Sequence, residues 1–389
     1  MRRAYIDNNA TTPVLLPVLE AMQPYFLEQF GNASSIHHHG QHTRAAVEQA
    51  RESIAELLGA RPPEVVFTSG GTEADNLALF GLVRPGDHLI TSQVEHHAVL
   101  NSAKRLEAMG CEVTYLPVDG GGLIDLEKLR RSVRSNTRLI SIIFANNETG
   151  VTQPVVEIGR IAADADVYFH TDAVQAAGKV PINVQDIGCD LLSLSGHKIH
   201  APQGVGVLYV RKGTLLQPML YGGRHERSRR AGTENVPGIV ALGKAAELAR
   251  LGFTDGSVER IRQLRDRIET TILAEIDQVG VNGGGAPRVP NTTNIYFDCI
   301  EGEALVIALD LKGVAVSTGA ACSSGAIEPS HVLTAMGLAP ERARASLRFS
   351  LGKQNTSADV DLLLSILPET VARLRELSPV YNGKEAVRS

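Results

Sequence analysis

The chain of 389 residues contains no tryptophan, and aromatic residues make up only 4% of it. Proteins that grip single-stranded nucleic acid need aromatic stacking platforms, which this sequence barely supplies. Basic residues are not in excess either: 38 Lys and Arg stand against 43 Asp and Glu, a formal charge of −5. The basic footprint of a nucleic-acid binder, or of a protein that rests on anionic lipid, is missing. Cysteine is scarce: Cys111, Cys189, Cys299 and Cys322 lie far apart, with no C-x-x-C pair. That argues against a disulfide-stapled secreted domain and against a compact all-cysteine zinc site, so no metal is expected. There is no run of about 18 apolar residues, hence no expected membrane span. The opening residues, MRRAYIDNNATT, lack the apolar stretch of a signal peptide. The expected compartment is the reducing cytoplasm.

What the chain does have is apolar residues, 43% of the total, enough for a large core. Its length suggests about two to three domains. Short apolar runs alternate with helical patterns. Val47, Ala50, Ile54, Leu57 and Leu58 share one face of a helix expected from Thr43, with Gly59 as its stop. Strands are expected at 65–68, 88–91, 112–116, 138–144, 167–170, 191–194 and 205–210, with helices at 73–80, 97–109 and 155–163 between them. This alternation predicts an α/β fold with a mostly parallel sheet covered on both faces. Beyond residues 252–257 the pattern shifts to short strands mixed with helices, the signature of a smaller α+β unit.

Several places could carry chemistry. Ser69-Gly70-Gly71-Thr72 follows a strand and opens a helix. Glycines let backbone N–H groups approach an anion there, and Thr72 adds a hydroxyl; the plainer reading is a turn with a threonine cap. Asp172 could face a cationic ring nitrogen and Gln175 a phenolate oxygen, or Asp172 could simply cap a helix. Ser195-Gly196-His197-Lys198 ends another strand. Desolvation lowers the pKa of a lysine at such a site, and a neutral amine can condense with a carbonyl. Ser195 and His197 could hold a phosphate beside it. Cys322 sits among small residues in an expected loop, where a thiol is accessible; the other three cysteines read as buried. His96 or His97 could stack on a planar cofactor or cap a helix. His37, His38, His39 and His42 have no acidic or thiol partner at ligand spacing, and are expected in a solvated loop ahead of Thr43.

The order of the motifs says more than any one of them. DNNATT (7–12), SGGTEADN (69–76), EHHAVL (95–100), ANNETG (145–150), HTDAVQAAGK (170–179), SGHKIHAPQGVGVLY (195–209), RRAGTEN (229–235) and STGAACSSGAIEPS (317–330) follow one another across nearly the whole chain. Together they resemble the pyridoxal-phosphate-dependent cysteine desulfurases among the class V aminotransferases. The segment from Cys322 through EPSHVLTAMGL resembles group I, and most nearly the nitrogen-fixation type.

The resemblance implies fold type I architecture: a large cofactor-binding α/β domain over 13–255 and a small α+β domain from 1–12 and 256–389 that carries the cysteine loop. It implies conversion of L-cysteine to L-alanine. Lys198 would hold pyridoxal 5'-phosphate and move protons at the substrate α-carbon. Asp172 would pair with the ring nitrogen, Gln175 with the phenolate oxygen, and His96 would stack on the ring and take part in acid–base steps. Gly71, Thr72, Ser195 and His197 would hold the phosphate. Thr233 would reach the phosphate in a partner subunit, which implies a homodimer. Asn147 and Arg348 would bind the substrate carboxylate, for which the Arg fork is suited. Cys322 would take the sulfur as a persulfide and pass it to an iron–sulfur cluster scaffold protein, with nitrogenase maturation as one destination. A plain aminotransferase needs no such thiol.

Overall fold

The computed structural model describes residues 3–319 and 329–378. Cys322 lies outside the described residues. Seven strands form the central sheet in the order Val65–Thr68, Gly206–Val210, Leu191–Ser195, Tyr168–Asp172, Thr137–Ser141, His88–Ser92, Glu112–Leu116. Gly206–Val210 runs antiparallel to both its neighbours, and the other pairs are parallel. Alternate side chains leave a strand on opposite faces. Val65 and Phe67 accordingly enter one apolar cluster and Val66 another, and Ile90 and Leu89 divide in the same way. Both faces are covered, which is why these strands read as unbroken apolar runs.

The long helix His38–Leu58 begins at His38, not at Thr43 as expected. The His37 ring caps it, with Nδ1 accepting the Gly40 N–H at 3.3 Å. His38, His39 and His42 therefore lie on a helix and not in a loop. Its end matches expectation: Gly59 takes a φ of +65°, the left-handed conformation of a C-terminal cap.

A second, three-stranded sheet is antiparallel, with Thr292–Phe297 between Ser346–Ser350 and Val279–Val281. Ile295, Phe297, Leu347 and Phe349 form its core with Ile268, Leu305 and Leu363 from the helices Ser257–Glu275, Gly302–Leu311 and Ser357–Leu377. The chain start joins this part: Ala4–Tyr5 pairs in parallel with Val314–Ala315, and Ile6 is fully buried there. Cys111 and Cys189 are buried as expected, but Cys299 is only half-buried, on a turn with φ of +69°. The turn lifts it out of the apolar strand that precedes it.

Glu226, Arg227 and Ser228 all take left-handed φ values, of 44°, 56° and 65°. Non-glycine residues adopt that conformation only against a steric cost. A buried fork holds the segment in place. Arg51 Nη1 and Nη2 each reach a Glu226 oxygen at 2.8 Å, and Glu226 also accepts the Phe67 N–H at 2.9 Å. Removing one member of such a pair strands the other charge without a partner. Arg51→Met is therefore expected to lower stability by about 3–5 kcal/mol, measured by urea unfolding. Arg51→Met/Glu226→Leu is expected to recover most of the loss. A single variant as stable as the wild type would contradict this account.

Candidate active site

Loops that leave the carboxyl ends of parallel strands bring the candidate residues together, as open α/β sheets do. Val65–Thr68 leads to Gly71 and Thr72, His88–Ser92 to His96, and Thr137–Ser141 to Asn147. Tyr168–Asp172 ends on Asp172 and leads to Gln175; Leu191–Ser195 ends on Ser195 and turns through His197 to Lys198. Arg348 reaches in from the second sheet, on Ser346–Ser350. All of these line one cleft of about 370 Å³. Thr233 does not line it and is exposed. Cys322 lies outside the described residues. Asn9, Ala10, Asp75 and Ser317 also line the cleft, without having been singled out by residue-level reading.

Hydrogen bonds fix the groups. Lys198 Nζ donates to the carbonyls of Asn9 and Ala10 at 2.5 and 2.7 Å. Asp172 Oδ1 accepts the Val174 N–H at 2.9 Å, and a turn follows, so the capping alternative gives only a local turn and no helix. His96 fills the capping role: Nδ1 accepts the Ala98 N–H at 3.1 Å at the start of His97–Ala108, while the residue also lines the cleft. His197 Nδ1 meets Thr11 Oγ1 at 3.1 Å. Arg348 donates through Nη2 to Asp7 at 2.7 Å and through Nη1 to the Asn147 carbonyl at 3.0 Å. Its buried Nε has no partner among the described residues.

Burial sets the charges. It lowers Lys198 to about 8, aided by Arg348 and opposed by Asp7 and Asp172. It raises Asp172 to about 6, against the Val174 N–H and Lys198. His96 is exposed on the cleft side; the desolvation by protein packed behind it, with Lys198 and the neighbouring histidines, pushes it down to about 4. His197 falls to about 4 for the same reasons, burial and then Lys198. Below Asp172, His170 is pushed down to about 3 by burial and bonds Ser141 and Ser193 at 2.8 and 3.0 Å. Asp75 stands 3.6 Å from that ring, and burial together with Asp172 drives its carboxyl well up.

Residues 4–363 match the family described as Aminotransferase class-V. The chain belongs to that family. It is 50% identical over 382 residues to the cysteine desulfurase IscS of Dictyoglomus turgidum, covering 97% of each chain. To a cysteine desulfurase of Trichormus azollae it is 52% identical over 383 residues, covering 98% of this chain and 96% of the other. Among solved structures, a NifS-like protein superposes with a TM-score of 0.88 at 37% identity, over 96% of this chain and all of that one. A structure titled SspA in complex with cysteine gives 0.81 at 38% identity, over 91% of this chain and all of the other.

The class uses pyridoxal phosphate, and the donor set suits it. The helix Gly71–Leu82 presents its N-terminal N–H groups to the cleft edge, beside Thr72 and Ser195, as an anion site requires. A Cβ on Gly71 would stand 2.8 Å from Val174 Cγ2, so only glycine leaves that approach clear. The orphaned Arg348 Nε adds a buried donor for an anion. Asp172, reluctant to ionise alone, is stabilised as a carboxylate by a cationic nitrogen.

The lowered lysine makes a direct prediction. The amine reacts with an aldehyde only when neutral, and that form of Lys198 predominates above about pH 8. The rate at which apoprotein takes up subsaturating pyridoxal phosphate is expected to rise with pH and level off near 8. A rate still climbing steadily to pH 10, where an ordinary lysine titrates (~10.4), would refute the assignment.

Proposed function

We propose that this protein is a cysteine desulfurase that takes sulfur from L-cysteine onto Cys322 and releases L-alanine. The observation that carries the reading is the meeting of Lys198, Asp172 and Arg348 in one cleft, on a chain about half identical to named cysteine desulfurases. Bound pyridoxal phosphate supplies the electron sink that makes the substrate Cβ–S bond labile. The remaining work falls to the chain. Lys198, with its pKa near 8, holds the cofactor and then exchanges a proton at the substrate α-carbon. Asp172 would pair with the ring nitrogen, Gln175 with the phenolate oxygen, and neutral His96 would stack on the ring and take part in acid–base steps. Gly71, Thr72, Ser195 and His197 take the phosphate. Arg348 and Asn147 take the substrate carboxylate. The Cys322 thiolate attacks the substrate sulfur. A new S–S bond forms as the C–S bond breaks, protons complete the alanine, and no outside oxidant or reductant enters.

The working form proposed is a homodimer. Thr233, exposed and absent from the lining of its own cleft, completes the phosphate site of the partner. Exposed apolar side chains support this: Leu16, Leu27 and Ile36 are 65%, 83% and 91% exposed, surface that a partner subunit would cover. We assign residues 13–255 to the large domain and 1–12 with 256–389 to the small one. The proposed acceptor of the sulfur is an iron–sulfur scaffold protein, with nitrogenase maturation one destination, in the cytoplasm. No helix among the described residues is long and apolar enough to cross a membrane.

The test compares wild type with two variants, each given L-cysteine and a thiol reductant. Wild type is expected to release alanine and sulfide in equal amounts. Cys322→Ala is expected to keep the cofactor and lose at least about a hundred-fold in rate, since it removes the nucleophile. Lys198→Ala is expected to lose both the covalent cofactor and turnover. Sulfide release by Cys322→Ala near the wild-type rate would end the assignment of the nucleophile.

A further inference from the structure

Gln175 lines the cleft through a side-chain amide that has two unlike ends. Its oxygen would repel an anionic oxygen, and its N–H would bind one. Three contacts decide which end is available. Gln175 Oε1 accepts from Lys179 Nζ in a short hydrogen bond. Gln175 Nε2 donates to the backbone carbonyl of Asn9 at 3.0 Å. Lys179 Nζ also donates to Asn9 Oδ1 at 3.1 Å.

The Asn9 side chain is itself fixed from elsewhere. Its Nδ2 donates to Thr292 Oγ1 at 2.9 Å and to the Asn147 carbonyl at 3.1 Å, and its Oδ1 accepts from Asn291 Nδ2 at 3.1 Å. Lys179 thus faces an oxygen of Asn9 whatever Gln175 does. Charged or neutral, the lysine amine has hydrogens enough for both oxygens. Turning the Gln175 amide over would set its NH₂ against the lysine hydrogens and its oxygen against the Asn9 carbonyl. Both contacts would become repulsive. One Gln175 N–H remains without a partner among the described residues.

We propose that Lys179 is a positioning residue that locks the Gln175 amide so that its free N–H, and not its oxygen, faces the cofactor's phenolate oxygen. Lys179 does not line the cleft and reaches it through Gln175 and Asn9. The inference rests on the proposed placement of pyridoxal phosphate on Lys198.

The readout is the pH midpoint of the visible absorption band of the holoenzyme. Donation by Gln175 favours the anionic oxygen, so its loss raises that midpoint. Lys198, Arg348 and Asp172 also face the cleft and set the absolute value, but they are common to all variants compared. Lys179→Met, which cannot donate, is expected to raise the midpoint by about one pH unit, or ten-fold in proton affinity. Lys179→Gln restores a donor without a charge and is expected to stay within about 0.3 units of wild type. In a Gln175→Ala background, Lys179→Met is expected to add no further shift.

A Lys179→Met midpoint equal to wild type overturns the proposal. So does a shift of equal size in Lys179→Gln, or one that persists in Gln175→Ala, since either assigns the effect to charge. A measurement on the wild type guards against a variant that does not fold. With ¹⁵N-glutamine labelling, the Gln175 side-chain amide, identified by its loss in Gln175→Ala, is expected to shift on addition of pyridoxal phosphate; an unmoved resonance overturns the proposal as well. Failure of the underlying placement is seen separately, as a wild type that gains no borohydride-reducible band at Lys198, and it would remove both.

Discussion

The two sheets and the cleft between them depend on one buried asparagine. Asn9 is 2% exposed, and each of its polar groups is taken. Its backbone N–H donates to Ser350 Oγ at 2.9 Å, tying it to the second sheet. Its carbonyl receives both Lys198 Nζ and Gln175 Nε2, tying it to two loops of the first. Its side chain spans Thr292, Asn147, Asn291 and Lys179. A buried polar group left unmatched is costly, and a fully matched network specifies one arrangement. Asn9 therefore fixes the register between a strand end of one sheet and a strand of the other. Arg348 and Lys198, which come from different sheets, meet in one cleft because of it.

Desolvation then gives that cleft its chemistry. The same burial that lowers Lys198 raises Asp172 and keeps His96 and His197 neutral. In water near neutral pH the lysine would be charged and Asp172 fully ionised. Inside, a minor but usable fraction of the amine is already neutral near pH 7, and the carboxylate forms at a cost that a cationic partner would offset. Low polarity is the largest cause of these opposite shifts, and neighbouring cations add to the lowering of Lys198, His96 and His197. His170, two residues before Asp172 on the same strand, is neutral and brings no positive charge to the buried strand end.

Much of this was legible in the sequence, for a definite reason. Strands buried on both faces leave continuous apolar runs, so their carboxyl ends can be located. Polar residues just past those ends, such as Asp172, Gln175 and Lys198, then stand out. Elements without such a pattern were missed. Val279–Val281 is only three residues long with a glycine at its centre, and becomes a strand by pairing with Thr292–Phe297. Leu126–Ser132 is short, although Asp125 caps it through the N–H groups of Glu127 and Lys128. The strand expected over 138–144 stops formally at Ser141, yet Ile142 and Phe144 still donate to His170 and Asp172 at 3.1 and 2.9 Å. The helix start at His38 was missed because histidine is an uncommon cap. Asn9 and Lys179 lie inside recognised motifs, but every side-chain partner of Asn9 is more than a hundred residues away, and Lys179 is held onto nearby Gln175 by that same distant Asn9, which no local pattern encodes.

Arg348 shows how the second sheet adds selectivity to a site built mainly on the first. Its backbone lies opposite Asn294 in the antiparallel pair, so the strand register alone decides which side chain points at the cleft. A slip of one residue would turn Arg348 away. The Asp7 carboxylate and the Asn147 carbonyl occupy its two terminal nitrogens, which holds the planar head without consuming Nε. The head keeps a fixed orientation, and of its five N–H donors the two bonds use only two. A lysine could match the charge but neither the plane nor the several fixed donors. The planar set of donors thus resides in geometry that the second sheet imposes, while the amine of Lys198 and the carboxyl of Asp172 reside in the first.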